Sequence, residues 1–185
     1  MPALLVATDQ EEQAGIRRQV LNDLPRAVLK AGEKRGAGLE RLTTRDAKGR
    51  PLLSWRVAIL PYIPNLEKEW LSRAINVDQS WDSKGNLGWT RTEVTFFNTA
   101  GTKEQGTTTW KLIPKVQGGI LLVEGGEGSA VPWTQPDEVK LDGGNPLVSF
   151  GREPQGGFTV ILLDGRVVTL TSEQLKEKLS KKRGE

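Results

Sequence analysis

The sequence contains no histidine and no cysteine among its 185 residues. Without imidazole or thiol side chains the chain cannot form a Ser-His or Cys-His nucleophile, an imidazole zinc site or a disulfide. Any metal that it bound would be a hard cation held by oxygen ligands. These absences remove most of the common catalytic machinery, and we expect a non-enzymatic protein that needs no cofactor.

Long apolar runs are also missing. No segment has the ~18 consecutive apolar residues that a transmembrane helix requires, and the opening MPALLVATDQEE is too short for the core of a signal peptide. We therefore expect no transmembrane segment in this chain. A chain that truly starts at Met1 would be cytoplasmic, whereas an upstream anchor or export helix would place it outside the cytoplasm.

Charge is unevenly distributed along the chain. Between Arg17 and Arg50 there are ten Lys or Arg residues against four acids, and the C-terminal KEKLSKKRGE is also basic. Such an excess would attract phosphates or an anionic surface. A solvated helix face followed by a polar tail explains it more simply, so nucleic acid or another anionic polymer is the less favoured partner.

An amphipathic helix is predicted near the N-terminus, where Thr8 and Glu11 have the spacing of a capping box. Apolar side chains then recur every four residues on one helical face: Ile16, Val20, Leu24 and Val28. Pro25 lies inside this pattern and is expected to kink or split the helix. The segment from Gly32 to Gly49 is charged and lacks periodicity, which predicts a loop.

The stretch GRPLLSWRVAILPYI (49–63) fits two structures. Its alternating apolar residues suit a half-buried strand, whereas Ser54 would cap a short helix that ends at the second proline. That proline and the helix-like LEKEWLSRAI beyond it favour the helix. In either structure Trp55 lies in the core, and Arg56 must reach solvent or a carboxylate, for which Asp82 is the first candidate.

Beyond Asn76 the chain consists of short β-branched or aromatic segments separated by glycine-bearing turns: EVTFFNT, TTTWKLI, GGILLVE, GFTVILL and RVVTL. That pattern is typical of an antiparallel sheet. Asp164-Gly165 between the last two segments predicts a hairpin with a type I′ turn. Thr171 and Gln174 have capping-box spacing and predict a final helix.

Together these elements predict an α+β fold, with an N-terminal helix, short helices, a small antiparallel sheet and a C-terminal helix. We expect a single domain overall. Within it, residues 1–45 form a helical segment and charged loop, and residues 46–185 form the α+β head.

Motifs that would carry chemistry are incomplete. VEGGEGSAVPW lacks the third glycine and the following helix of a dinucleotide-binding loop. The segment from Asp82 to Asn86 has oxygen ligands at alternate positions but lacks the closing glutamate of a calcium loop. Glu124 and Asp164 are the carboxylates on which a hydrolase would depend, and both also suit structural positions in turns.

Six tryptophans are many for a chain of this length. Trp70 and Trp110 fall on the apolar faces of their elements, which indicates core positions. Trp81, Trp89 and Trp133 lie in turn-like contexts, where they would anchor loops or, with the basic stretch, bind a glycan or an anionic polymer. We favour core or loop-anchoring positions for all six.

Four segments occur in the order and form of one bacterial family. They are DAKGRPLLSWRVAILPYI (46–63), VDQSWDSKGN (77–86), LLVEGGEGSAVPWTQPDEV (121–139) and GGFTVILLDGRVVTL (156–170). Together they resemble the bacterial domain-of-unknown-function family 1559, which consists of pilin-like proteins with a prepilin-type N-terminus and a C-terminal box of the H-x9-D-G kind. The resemblance covers residues 46–86 and 119–178.

The resemblance implies a pseudopilin-like fold, an extracytoplasmic, envelope-associated location, other envelope proteins as partners and no known enzyme activity. The motif residues that it singles out, which we expect to be structural, are Ser54, Trp55, Arg56, Pro61, Tyr62, Trp81, Asp82, Asn86, Glu124, Pro132, Trp133, Pro136, Asp137, Asp164 and Gly165. The chain lacks the family's hydrophobic N-terminal helix and has Pro154 at the box histidine, so it resembles a divergent member.

Our leading hypothesis is therefore a non-enzymatic, pilin-like structural or interaction module of the bacterial cell envelope. The alternative is a binding module for an anionic polymer or glycan that uses the basic stretch and the loop tryptophans.

Overall fold

The computed structural model describes residues 2–36, 38–66, 70–99, 104–141 and 145–181, and the side chains within these ranges from residue 10 onward. Mixed helix and antiparallel sheet confirm the α+β class predicted from the sequence. Among the described residues, none of the helices combines the length and the apolar character needed to cross a bilayer.

A single long helix begins the chain. α1 (Pro2–Lys34) has 33 residues and is therefore about 50 Å long. The apolar side chains of its predicted face are buried, namely Val20, Leu24 and Val28. Ile16 is partly buried and packs against the core cluster that contains these three side chains. Every residue from 10 to 15 is exposed. Within the part of α1 whose side chains the structure describes, core contacts therefore begin at Ile16.

One prediction for α1 is wrong, and one of the two effects expected of Pro25 does not occur. The helix begins at Pro2, so Thr8 lies inside it and cannot be its N-cap. Pro25 does not split the helix, which continues through it. A proline costs the helix a backbone hydrogen bond; burial of the neighbouring Leu24 and Ala27 in the core offsets that cost.

The segment after α1, predicted to be a loop, contains regular structure. A 3₁₀ helix at Leu39–Arg41 is followed by β1 (Thr44–Arg45), which pairs antiparallel with β2 (Pro51–Leu53). Asp46 closes the turn between these strands, because its carboxylate accepts hydrogen bonds from the backbone amides of Lys48 and Arg50. The strand pair spans the predicted boundary between residues 45 and 46.

Both structures considered for GRPLLSWRVAILPYI occur, one after the other. β2 ends at Leu53, and α2 (Trp55–Ile59) begins immediately after Ser54, whose hydroxyl accepts a hydrogen bond from the Arg56 amide. The predicted cap is therefore confirmed. All five residues of α2 are buried, and a 3₁₀ helix at Leu60–Tyr62 continues the chain.

The helical content after α2 is lower than predicted. LEKEWLSRAI contributes α3 (Leu71–Ala74), and its residues 67–69 lie outside the described residues. α4 (Leu87–Thr90) follows a loop that contains the second motif.

EVTFFNT is not a strand. Thr95–Phe97 form a 3₁₀ helix, because Val94, Phe96 and Phe97 are all buried and a strand would direct two adjacent phenylalanines to opposite faces.

A four-stranded antiparallel sheet forms the centre of the head. It contains β4 (Trp110–Leu112), β5 (Ile120–Glu124), β7 (Phe158–Leu162) and β8 (Val167–Leu170), in the spatial order β4-β5-β7-β8. A second small sheet pairs β3 (Thr107–Thr108) with β6 (Val131–Pro132). Four of the five predicted strand segments are therefore confirmed.

The hairpin between β7 and β8 is present, but its turn differs from the prediction. The amide of Leu162 donates to the Arg166 carbonyl and the amide of Gly165 donates to the Leu162 carbonyl. The loop is therefore three residues long. Gly165 has a φ of 85° and Asp164 has no positive φ, whereas a type I′ turn needs positive φ at both central residues. The chain instead forms a turn closed by a left-handed glycine.

Helical layers cover both faces of the central sheet. On one face Trp110, Leu122 and Ile161 pack with the second half of α1. On the other face Val123 and Val160 pack with α5 (Ser172–Ser180) and a 3₁₀ helix at Pro146–Phe150. α5 begins with the predicted capping box of Thr171 and Gln174, which is confirmed in both of its hydrogen bonds.

A candidate functional site at a buried ionic cluster

The Ser54-Trp55-Arg56 motif places a cation in the protein interior. The Arg56 side chain is 0% exposed, and its guanidinium carbon lies 4.9 Å from the centroid of the Trp55 ring. α2 positions it rigidly, because Ser54 caps this helix and also donates its amide to the Thr134 carbonyl. A buried cation of this kind strongly destabilises a protein unless a carboxylate and hydrogen-bond acceptors surround it.

Asp137 provides that carboxylate and binds two cations at once. Arg56 Nη1 lies 2.8 Å from Asp137 Oδ1, and Arg56 Nη2 lies 3.0 Å from Asp137 Oδ2. This is the bidentate geometry that makes arginine–carboxylate pairs strong. Lys111 Nζ donates to Asp137 Oδ2 at 2.5 Å and to the Ser129 carbonyl at 2.7 Å. Arg56 Nη2 also donates to the Trp110 carbonyl, whereas the buried Arg56 Nε has no hydrogen-bond partner among the described residues.

The cluster contains more positive than negative charge. Burial lowers the pKa of Lys111 below its usual 10.5; Asp137 opposes that shift and the nearby Arg56 charge adds to it. The Lys111 side chain is only 5% exposed and that of Asp137 12% exposed. Among these three side chains Asp137 is the most accessible, and it faces a surface cleft.

That cleft has a volume of about 490 Å³. Its walls are apolar at Leu39, Trp55, Leu112 and Val139. Charged side chains surround the opening, and two of them, Arg45 and Glu138, form an ion pair with each other. The described residues include no group of three or more acidic side chains close enough to hold a metal ion, so the cleft offers space and charge without a built metal site.

The prediction that Arg56 pairs with Asp82 is wrong. Asp82 is exposed in its turn and accepts a hydrogen bond from Ser80 Oγ at 2.5 Å. The true partner lies 81 residues after Arg56 in the chain. Both carboxylates belong to motifs of the resemblance, and only the tertiary structure distinguishes them.

Hydrogen bonds at Thr134 connect the first three motifs. Its carbonyl accepts the Ser54 amide, and its Oγ1 lies 2.8 Å from Thr90 Oγ1. Thr90 Oγ1 in turn lies 3.0 Å from the carbonyl of Trp81. Buried polar groups that are satisfied in this way fix the relative positions of the segments that they join.

Asn86 organises the loop of the second motif. Its side chain is fully buried. The amide nitrogen donates to the carbonyls of Asn76, Gln79 and Ser80 at 2.9, 3.2 and 3.1 Å, and the amide oxygen accepts from the Asn76 amide at 2.9 Å. Asn86 therefore holds the 76–86 loop closed and has a structural position.

Glu124 joins α1 to the sheet. Arg17 Nη1 donates to Glu124 Oε1 at 2.6 Å, and Arg17 Nη2 donates to the second carboxylate oxygen and to Thr159 Oγ1. The same guanidinium lies 5.6 Å from the centroid of the Trp110 ring. This ion pair lies directly after the exposed segment 10–15 and fixes the helix next to Ile16, which packs on the core.

The hydrolase that would use Glu124 and Asp164 is not supported by the geometry. Glu124 is paired with Thr159 across the sheet, and Asp164 lies five residues further along, beyond the end of β7. At ~3.3 Å per residue the two are separated by roughly 16 Å. A glycosidase needs its carboxylates within about 10 Å of one another.

Trp81, Trp89 and Trp133 are not exposed together. Trp133 is 1% exposed and stacks on Phe97, with the ring centroids 5.8 Å apart. Trp81 and Trp89 are half-buried and contact the main core cluster. The core position predicted for Trp70 is wrong: it is 49% exposed and contacts Trp89 edge to face.

The remaining motif residues occupy turns and short elements. Pro61 is exposed in its 3₁₀ helix, and the half-buried Tyr62 lies under the Lys30 ammonium. Pro132 pairs with a residue of β3. Asp164 and Gly165 form the exposed turn of the β7–β8 hairpin.

Sequence reasoning missed three residues of the site: Lys111, Ser129 and Thr134. Only Lys111 left a signal. It is the one charged residue inside the apolar segment TTTWKLI, and a lysine between two buried strand neighbours requires a nearby carboxylate.

Comparison of the chain with protein-family models, with curated proteins and with solved structures finds no match. The resemblance to the pilin-like family therefore depends on the four sequence motifs.

Proposed function

We propose that this chain is a non-enzymatic, pilin-like structural or interaction module of the bacterial cell envelope. The observation that carries the proposal is the division of α1 into two parts. Its second half forms part of the core through Val20, Leu24 and Val28, while residues 10–15 have exposed side chains. A long N-terminal helix attached in this way to a small antiparallel sheet suits a protein that presents a head to its neighbours.

The buried cluster agrees with a structural role. Asp137 neutralises Arg56 and Lys111 inside the head, and Thr134 and Asn86 are bonded to the backbone of neighbouring segments. These side chains bind one another or the backbone of neighbouring segments. A structural role for these motif residues supports the proposal of a stable head.

The alternative, recognition of an anionic polymer or glycan, has less support. Several cations of the basic stretch are already paired with acids of the same chain: Arg17 with Glu124, Arg26 with Asp23, Arg45 with Glu138 and Arg50 with Asp46. Trp133 is buried. A steep loss of affinity for polyanions with added salt would be needed to favour this alternative.

Site-specific photo-crosslinking in the bacterium that encodes the chain tests the proposal. A photoreactive residue at the exposed Gln13 of α1 should form crosslinks to other envelope proteins, and the chain should fractionate with the envelope. The same residue at Lys48, exposed in the β1–β2 turn, is the matched control and should yield fewer crosslinks. A chain found in the cytoplasmic fraction, or one that forms no crosslinks at Gln13, contradicts the proposal.

A further inference from the structure

The central sheet has an open edge at β8. β8 is the last strand in the order β4-β5-β7-β8, while α5 packs on one face of the sheet through Leu175 and Leu179. Val167 is 44% exposed, and Thr169 is also exposed. Within the part of the chain that the structure describes, no other segment pairs with the outer side of this strand.

The hydrogen-bond pattern shows which backbone groups point outward. Leu162 donates to the Arg166 carbonyl, and the register pairs Val160 with Val168 and Phe158 with Leu170. Because hydrogen-bonded and non-hydrogen-bonded pairs alternate in an antiparallel ladder, Val168 and Leu170 bond to β7. Val167 and Thr169 occupy the alternate positions, which do not bond to β7. Their amides and carbonyls therefore face away from the sheet.

The edge lacks the charged residues, the proline and the bulge that protect many natural edge strands. From Val167 to Ser172 the sequence VVTLTS contains no charged residue and no proline. Natural edge strands are commonly protected by lysine, proline or a bulge. Leu163, 45% exposed in the adjoining turn, extends the apolar surface.

We propose that the edge of β8 binds the same edge of a second copy of this chain, antiparallel about a two-fold axis. In this register Val167 of one copy lies opposite Thr169 of the other, and Val168 lies opposite its own equivalent at the axis. Since Val167 and Thr169 both point their backbone groups outward, the pairing satisfies all of these groups. The strand is thus self-complementary, as an isologous two-fold contact requires.

Charge favours the antiparallel arrangement over a parallel one. Arg166, largely exposed, lies at one end of β8. At the other end Glu153 accepts a hydrogen bond from the Ser172 amide, and Glu173 follows. Antiparallel pairing brings the arginine end of each copy to the glutamate end of the other, whereas parallel pairing would place like charges together. The dimer does not depend on the function proposed above.

Sedimentation equilibrium with two edge variants tests the dimer. The wild-type chain should associate reversibly to a dimer, weakly because two short strands bury a small area. Val167→Lys places a charge near the axis on each copy, and Thr169→Pro removes an outward amide from the edge. Both variants should remain monomeric and keep the wild-type circular dichroism spectrum. Val148→Lys, at a valine 80% exposed in the 3₁₀ helix Pro146–Phe150, is the matched control and should dimerise as the wild type does.

Hydrogen exchange gives a second readout that needs no variant. Exchange of the Val167 and Thr169 amides should slow as protein concentration rises, while that of Val168, already bonded to β7, should not change. A wild-type chain that stays monomeric up to its solubility limit overturns the proposal. So does a dimer that persists in both edge variants, since another surface would then mediate it.

Discussion

At the scale of single residues, Asp137 pairs with two buried cations in the head. It is the shared counter-ion of Arg56 and Lys111, both of which are almost fully buried. Removing one partner of a buried ion pair is far more costly than the pair is favourable, because an uncompensated charge remains in the interior. A substitution of Asp137 therefore affects its own segment and also α2 and β4, which carry Arg56 and Lys111.

Asp137→Asn should destabilise the protein by about 3–5 kcal/mol. The amide keeps the size of the side chain but leaves the two cations without a negative charge. Urea denaturation followed by circular dichroism measures the change in free energy of unfolding. Asp164→Asn, which removes a carboxylate paired with Arg166 at an exposed turn, is the control and should have little effect. Equal stability of the two variants would show that Asp137 does not compensate the buried cations.

The lowered pKa of Lys111 predicts a pH dependence of stability. Between the lowered pKa and the usual 10.5 the unfolded chain binds more protons at this lysine than the folded chain does. The free energy of unfolding should therefore rise with pH across that window through this group. Denaturation curves of the wild type and of Lys111→Met, recorded from neutral pH to just below 10.5, should differ in this slope. The exposed Lys140→Met variant should retain the wild-type slope, and an unchanged slope in Lys111→Met would refute the assignment.

At the scale of elements, the loop from residue 76 to residue 86 is held by one side chain. Asn86→Ala removes an acceptor and donors that bind the backbone of Asn76, Gln79 and Ser80. At roughly 1 kcal/mol for each net hydrogen bond, the loss should be about 2–4 kcal/mol by urea denaturation. Asn22→Ala, at an exposed position of α1, is the comparison and should cost nothing. A loss below that range would show that the loop closes without Asn86.

Two helix caps that depend on neighbouring residues were predicted correctly, whereas two features that depend on distant contacts were not. The Thr171–Gln174 capping box and the Ser54 cap depend on spacings of a few residues, so the sequence alone predicts them. The 3₁₀ helix at Thr95–Phe97 formed where a strand was expected, because burial of both phenylalanines outweighed their strand preference. The partner of Arg56 was missed for the same reason, since nothing local marks a carboxylate 81 residues away.

At the scale of the whole molecule, the head and the first part of α1 differ in their contribution to folding. Buried contacts of α1 begin near Ile16, and the ion pair of Arg17 with Glu124 lies beside them. Residues 10–15 are exposed and add little to the core. Stability should consequently reside in residues from Gly15 onward.

Deleting residues 2–14 should therefore leave the melting temperature of the head within a few degrees of the full chain. Differential scanning calorimetry measures it. A longer deletion through Leu24 is the contrasting variant: it removes Arg17, Val20 and Leu24 and should abolish the cooperative transition. Loss of folding in the shorter deletion would mean that the N-terminal half of α1 supports the head directly.

The hydrogen bonds that join Ser54, Arg56, Thr134 and Asp137 have a consequence for genetics. A loss-of-function screen across these positions will report how much folded protein accumulates in the cell, because each substitution removes part of the same buried network. Phenotypes that arise from a lost partner should map elsewhere, to substitutions that leave protein abundance unchanged. Measuring protein abundance together with phenotype would separate the two kinds of allele. The motifs that contain these four residues are the most recognisable part of the sequence, yet they would be the least informative region in a search for partners.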